Sequence, residues 1–203
     1  AAMHRTLASF VCALGLAVSF GAFAELPAFS ERELLNSERI EQVFGSYGLE
    51  VMSSAPTLRV SKLYSTEDGR ETCRTFAVVA YPRETNGAIA AEHSAILEGG
   101  SIGATFAAAG WHVSKVHLYF GELPSTAKVE ALMGGIERSR LAVHVYALRV
   151  SRRGVDIDYA SIVEVHHPDY LDVASLVQIY GPANELADDT VPALLALTSR
   201  QMR

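Results

Sequence analysis

Three places in the sequence combine residue types and positions that could do chemistry. The first is Glu98-Gly99-Gly100-Ser101-Ile102-Gly103. Paired glycines let a backbone come close to a bound molecule. A helix opening at Ser101 would aim the free amides of Ser101, Ile102 and Gly103 at one point, and its dipole would add partial positive charge there. That is a place for a carboxylate. The plainer reading is a glycine C-cap followed by a serine N-cap between consecutive helices. The second place is Arg59, at the start of a strand between Leu58 and Val60. Facing inward it needs a partner, and a carboxylate held two-handed is the natural one. Facing outward it is an ordinary strand-end arginine. The third is Glu164, in the apolar run Ile162-Val163-Glu164-Val165. Strand alternation puts it on the face of Ile162 and His166. A covered face would make it a buried acid with a raised pKa, suited to moving a proton or binding a hydroxyl. An open face would leave it solvated.

The histidines give no ligand pattern. Beyond His4 they are His93, His112, His117, His144, His166 and His167, with no HExxH spacing. Adjacent His166 and His167 point to opposite sides of a strand. His112, His117 and His144 could meet only through tertiary structure. No metal site and no cofactor is expected, and no GxSxG, Walker A or GxGxxG element occurs.

The elements that would position these residues read as one α+β domain. Leu34, Leu35, Ile40, Val43 and Phe44 recur at helical spacing after the capping-box pattern Ser30-Glu31-Arg32-Glu33, and Gly45 and Gly48 end that helix. Leu49 to Met52 is a short strand. Leu58 to Tyr64 and Thr72 to Tyr81 form a hairpin around Glu67-Asp68-Gly69. A helix opens at Asn86 and carries Ile89, His93, Ile96 and Leu97. A short Ala-rich helix runs from Ser101 to Gly110. His112 to Phe120 is a strand, and Lys128 to Ile136 a short helix. Leu141 to Val150 and Val155 to His166 form a second hairpin around Arg152-Arg153-Gly154. Asp172 to Tyr180 is a helix, and Pro192 to Met202 a loosely docked terminal one. Hairpins joined by helices, without repeated βαβ units, predict a mostly antiparallel sheet with helices on one face. The two hairpins, Leu58 to Pro82 and Leu141 to Pro168, each read strand, Gly turn, strand, proline, which hints at a duplication.

Composition narrows the classes. The chain has 203 residues, a net charge of −6 and 49% hydrophobic content, which argues against wrapping nucleic acid and against disorder. Two cysteines exclude a disulfide scaffold. Met3 reads as a start, His4 and Arg5 as a basic n-region, and Leu7 to Ala24 as an uncharged apolar stretch ending Ala22-Phe23-Ala24. That is the pattern of a secretory signal peptide, 1–24, cleaved after Ala24. The expected layout is then a single ligand-binding-type domain over 25–182 and a C-terminal tail, possibly helical, over 183–203. The expected location is periplasmic or secreted, with no membrane anchor after cleavage. Cys73 would be the remaining thiol.

The order of these features resembles a known family. It comprises the N-terminal helix with Asn36-Ser37-Glu38-Arg39-Ile40-Glu41-Gln42; Leu58-Arg59 opening a strand; Asp68-Gly69; a strand ending in Pro82; Ser101-Ile102-Gly103-Ala104-Thr105-Phe106; and Glu164-Val165-His166-His167-Pro168. From about residue 33 to 170 this is similar to the chorismate lyase-like fold, shared with the ligand-binding UTRA domains of bacterial regulators. In that family an arginine, a backbone amide of a Pro-Leu-Gly element and a glutamate hold the ligand. Arg59, Ile102 and Glu164 occupy those places, and Asn36 joins the set through the family's N-terminal helix. The resemblance implies a site of Asn36, Arg59, Gly100, Ser101, Ile102, Gly103 and Glu164 for a small carboxylate, aromatic acids included. There are departures. Ser101 replaces the proline, and Val78 stands where the family has a second arginine. Arg74 lies further back, and His112 to Leu132 matches poorly. The resemblance implies either a binding module or a cofactor-free lyase. In the lyase, Glu164 would assist proton movement and Arg59 would orient the acid as pyruvate leaves chorismate and 4-hydroxybenzoate forms. Export and Val78 favour binding. A scaffold for partner contacts is the third reading.

Overall fold

The computed structural model describes residues 34–184 and 189–203. The leader, Cys12 and the Ser30–Glu33 capping pattern lie outside the described residues. The order of elements is α1 (Asn36–Phe44), β1 (Gly48–Ala55), β2 (Leu58–Glu67), β3 (Arg70–Ala80), α2 (Ala90–Leu97), α3 (Ile102–Ala108), β4 (His112–Pro124), α4 (Ala127–Leu132), β5 (Arg140–Arg152), β6 (Val155–His166), α5 (Val173–Tyr180) and α6 (Thr190–Gln201). The chain is α+β, with one six-stranded sheet in the order β1-β2-β3-β6-β5-β4 and every neighbouring pair antiparallel.

Local chemistry sets the element ends. Glu38 reaches back to the Leu35 amide at 2.7 Å, satisfying a free donor at the start of α1. Gly48 starts β1 instead of helping to end α1. Asn86 caps a single 3-10 turn ahead of α2 through the Ala88 amide, and Asp172 caps α5 through Ser175 at 2.7 Å. Both long hairpins close through paired left-handed residues, Asp68-Gly69 (φ 50 and 76) and Arg153-Gly154 (φ 51 and 80). That geometry matches the twist of the flanking strands. The two hairpins that look alike in sequence, β2–β3 and β5–β6, hold equivalent places counted from opposite edges. They meet at a central seam where Val78 faces Val163.

Helices cover both faces of the sheet, not one as the element pattern predicts. The reason lies in the central strands. Cys73–Val79, Leu141–Tyr146 and Ile162–His166 are buried without a break, so both sides of each strand need cover. On one face Phe76, Val78, Val143, Val145, Val163 and Val165 pack with Val129 of α4 and with Leu194 and Met202 at the C-terminus. On the other face Val79, Tyr146, Leu148 and Ile162 pack with Ile96 of α2, Phe106 of α3, Trp111 and Tyr159. α1 and α5 border this second layer. Among the described residues no helix is long and apolar enough to cross a membrane.

The terminal helix α6 is not loosely docked. Met202 is fully buried, and Leu194 joins it in the main core. The backbone carbonyl of Met202 also accepts a hydrogen bond from Thr126, which ties the chain end to α4. Met202→Ala is expected to lower the unfolding free energy by about 2–5 kcal/mol, read as a lower urea midpoint. An unchanged midpoint would mean that α6 does not hold the core.

Candidate functional site

Six of the seven sequence-derived site residues line one cavity of about 80 Å3: Asn36, Arg59, Ser101, Ile102, Gly103 and Glu164. It lies on the α2–α3 face of the sheet. β2 supplies Arg59, Ser61 and Leu63, β3 supplies Ala77 and Val79, β6 supplies Ile162 and Glu164, and β5 supplies Tyr146 and Leu148. Leu35, Tyr47 and Leu49 close it from the N-terminal segment. Apolar walls with a few charged and hydroxyl groups are the usual make-up of a small-molecule site.

Arg59 faces inward and is buried, with 2% of its surface exposed. Its partners are not carboxylates. Nε donates to Ser61 Oγ at 2.9 Å, and Nη1 donates to the carbonyls of Ile96 at 3.0 Å and Gly100 at 2.7 Å. Ile96 lies in the last turn of α2, where carbonyls lack helical partners and carry partial negative charge. Arg59 thus ties the end of α2 and the start of the α2–α3 loop to the sheet. A two-handed grip on an external carboxylate is not open to it, since Nε and Nη1 are engaged and only Nη2 carries none of these bonds.

The glycine-rich loop is built by packing. Gly100 does not line the cavity; its carbonyl holds Arg59. A Cβ on Gly100 would lie 2.8 Å from the Ala95 carbonyl oxygen and 2.9 Å from Thr105 Oγ1. A Cβ on Gly103 would lie 2.2 Å from the Leu35 side chain. Neighbouring protein atoms therefore account for these glycines. Ser101 is the extended N-cap of α3, and its side chain makes no capping bond. Tyr47 stands by Ser101, and burial raises the pKa of its phenol, with the Ser101 contact and the Arg59 charge opposing.

Glu164 is buried, 3% exposed, on the covered face that strand alternation assigns to it. Its Oε1 accepts from the Tyr146 hydroxyl at 3.0 Å. Its Oε2 has no hydrogen-bond partner, and lies 3.8 Å from His144 Nδ1 and 3.9 Å from His166 Nε2. Burial holds the pKa of His144 well below the usual imidazole range, helped by the Lys115 charge. Burial likewise lowers His166 to about 4, against the opposing pull of Glu164. Both imidazoles are therefore neutral at pH 7.

Other hydrogen bonds fix this group from outside. Asn36 Nδ2 donates to Thr75 Oγ1 at 3.0 Å, and Tyr170 Oη donates to Asn36 Oδ1 at 2.7 Å. Thr75 Oγ1 lies 3.1 Å from His166 Nδ1, and His117 Nδ1 lies 2.9 Å from His144 Nε2. Asn36 is thus a buttress whose amide is engaged with protein on both ends. His167 points away from His166 and is occupied by the Met133 carbonyl and the Asp169 amide.

Lys115 is the cavity residue that sequence reasoning missed. Its ammonium is buried without a hydrogen-bond partner and stands 4.8 Å from the Tyr146 ring centre. The signal was present in the β4 alternation, where Lys115 and His117 share a side. The two alternative arginines behave differently. Val78 faces the opposite core, so no second arginine can enter the cavity from that position. Arg74 is paired with Glu67 and Ser65 and covers the Phe44 ring.

No family model and no curated protein sequence matches the chain.

Proposed function

We propose that this chain is an exported, chorismate lyase-like binding module that holds a small carboxylate-bearing molecule in the Arg59–Lys115–Glu164 cavity. The observation that carries the reading is the charge pattern. Two cations, Arg59 and Lys115, and one anion, Glu164, line a largely apolar cavity, and the Lys115 ammonium faces aromatic rings with no hydrogen-bond partner. Burying an unpaired ammonium is costly, and a bound carboxylate would offset that cost. Glu164 would accept from a hydroxyl on the same ligand. The antiparallel sheet, and the meeting of Arg59, Ile102 and Glu164 around one space, support the family resemblance. At about 80 Å3 the cavity is smaller than the roughly 150 Å3 that accepts benzene. An aromatic acid would therefore place its carboxylate inside and its ring toward the opening.

The test is a thermal-shift series with acetate, benzoate and 4-hydroxybenzoate. Ligand at 100 times its Kd adds about 2.7 kcal/mol, roughly 5–10 °C for a chain of this size. Lys115→Met removes the unpaired charge without orphaning a partner. It is expected to leave the unliganded melting temperature equal or higher and to weaken carboxylate binding by about 10- to 100-fold. If no carboxylate raises the melting temperature, or Lys115→Met leaves the affinity unchanged, the reading fails. Pyruvate release from chorismate would replace it with the lyase reading.

A further inference from the structure

We infer that His144 Nδ1, Glu164 Oε2 and His166 Nε2 form a binding site for a divalent first-row transition metal ion such as zinc. All three ligand atoms lie within 4.8 Å of one another, on residues that are each buried. All three lack a hydrogen-bond partner, although buried polar atoms are nearly always satisfied.

The tautomers explain what is missing. With its proton on Nδ1, donated to Thr75 Oγ1, His166 presents a bare Nε2 lone pair to Glu164. With its proton on Nε2, donated to His117 Nδ1, His144 presents a bare Nδ1 in the same way. Glu164 Oε2 is an acceptor as well. In this pair of tautomers, the one a metal ion selects, the centre holds three acceptors and no donor. One water offers only two protons, so it cannot satisfy the set. A single Lewis acid can.

The donor set and its support are those of a metal centre. Two imidazoles and one carboxylate suit zinc and its neighbours. Each imidazole is oriented by a bond to its other nitrogen, as metal-bound histidines are. Metal–ligand bonds of about 2.0–2.2 Å place ligand atoms roughly 3.3 Å apart around a tetrahedral ion. The observed 3.8 and 3.9 Å separations from Glu164 need only sub-ångström closure, and the two imidazole nitrogens, within 4.8 Å of each other, must close to the same spacing. The nearby cations Lys115 and Arg39 oppose an ion here, and their charges also act on His166. The site uses Glu164, which also lines the cavity, but it does not depend on the carboxylate reading.

The experiment uses the full, untagged chain, stripped with EDTA and titrated with zinc by calorimetry at pH 7. One equivalent is expected, with a Kd that is micromolar or tighter and a higher melting temperature. Glu164→Gln keeps the volume and an acceptor for Tyr146 but removes the charge, and is expected to weaken zinc by at least about 100-fold. Lys115→Met is expected to tighten zinc while weakening carboxylates, so this site and the ligand site can fail separately. Absence of saturable zinc binding overturns the inference. Binding unchanged by Glu164→Gln also overturns it. Should Glu164→Gln not fold, zinc affinity unmoved by Lys115→Met overturns it.

Discussion

Arg59→Ala is expected to lower the unfolding free energy by about 2 kcal/mol or more, because it strands the Ser61 hydroxyl and the Gly100 carbonyl and takes one donor from the Ile96 carbonyl, which keeps the Gly99 amide. The guanidinium bonds Ser61 Oγ and the carbonyls of Ile96 and Gly100. Each buried acceptor left without a donor costs about 1–3 kcal/mol, and water entering from the cavity recovers part of it. The end of α2 loses its only side-chain cation among the bonds that reach it, so the loop carrying Ser101, Ile102 and Gly103 loosens as well. Arg59→Lys keeps the charge but gives up the planar fork, and should fall between wild type and alanine. Urea denaturation reads both, and an alanine variant with the wild-type midpoint would show that Arg59 does not brace this junction. Arg59 therefore makes a poor probe of ligand binding, since its loss disturbs the cavity wall directly. Lys115, whose ammonium makes no hydrogen bond, is the cleaner one.

Cys73 is expected to react with thiol reagents at least about 1,000-fold more slowly in the folded chain than in urea. It is 2% exposed within the core formed with Phe76 and Val78. Burial pushes its thiol up to about 12. An ordinary thiol near 8.5 is about one-quarter thiolate at pH 8, whereas one near 12 is about one part in 10,000. Steric exclusion slows the reaction further. Measured on the Cys12→Ser chain at pH 8 with a chromogenic disulfide, a reaction as fast without urea as with it would contradict the buried position of β3. The contrast also bears on oxidising compartments. A thiol held in this way is inert there without needing a partner.

The site was more legible in the sequence than its chemistry was. Arg59, Ser101, Ile102, Gly103 and Glu164 were identifiable from local patterns, a strand start, a glycine-rich helix start and an acid in an apolar strand, whereas Asn36 entered only through the family resemblance. The hairpins were legible for the same reason: Asp68-Gly69 and Arg153-Gly154 announce their turns. Which partners Arg59 would take was not legible, because Ile96 and Gly100 reach it through a helix that packs across the sheet. The histidine–carboxylate group was missed because its spacing is split. Glu164 and His166 share a face two residues apart, and His144 arrives from the neighbouring strand through the register His144 to Glu164. Register is a tertiary fact. The two-sided burial of the sheet was written in the largely apolar, non-alternating runs of β3, β5 and β6. Lys115 hid because one lysine in a strand ordinarily points to water.

The central seam has a consequence for how the molecule assembles. Within each half of the sheet, β1-β2-β3 and β4-β5-β6, every pairing is between sequence neighbours, so each half can form from short-range contacts. Within the sheet, the β3–β6 pairing alone joins strands far apart in the chain, such as Thr75 with His166 and Ala80 with Ser161. Closing that long loop carries the largest entropic cost and should limit the folding rate. Asn36, Arg59 and Thr75 belong to the first half, whereas Lys115, His144, Glu164 and His166 belong to the second. The cavity is lined from both halves, whereas the buried triad lies wholly in the second. A molecule bound in the cavity would add its affinity to the slowest-forming junction, and so would act chiefly by retarding the reopening of the two halves.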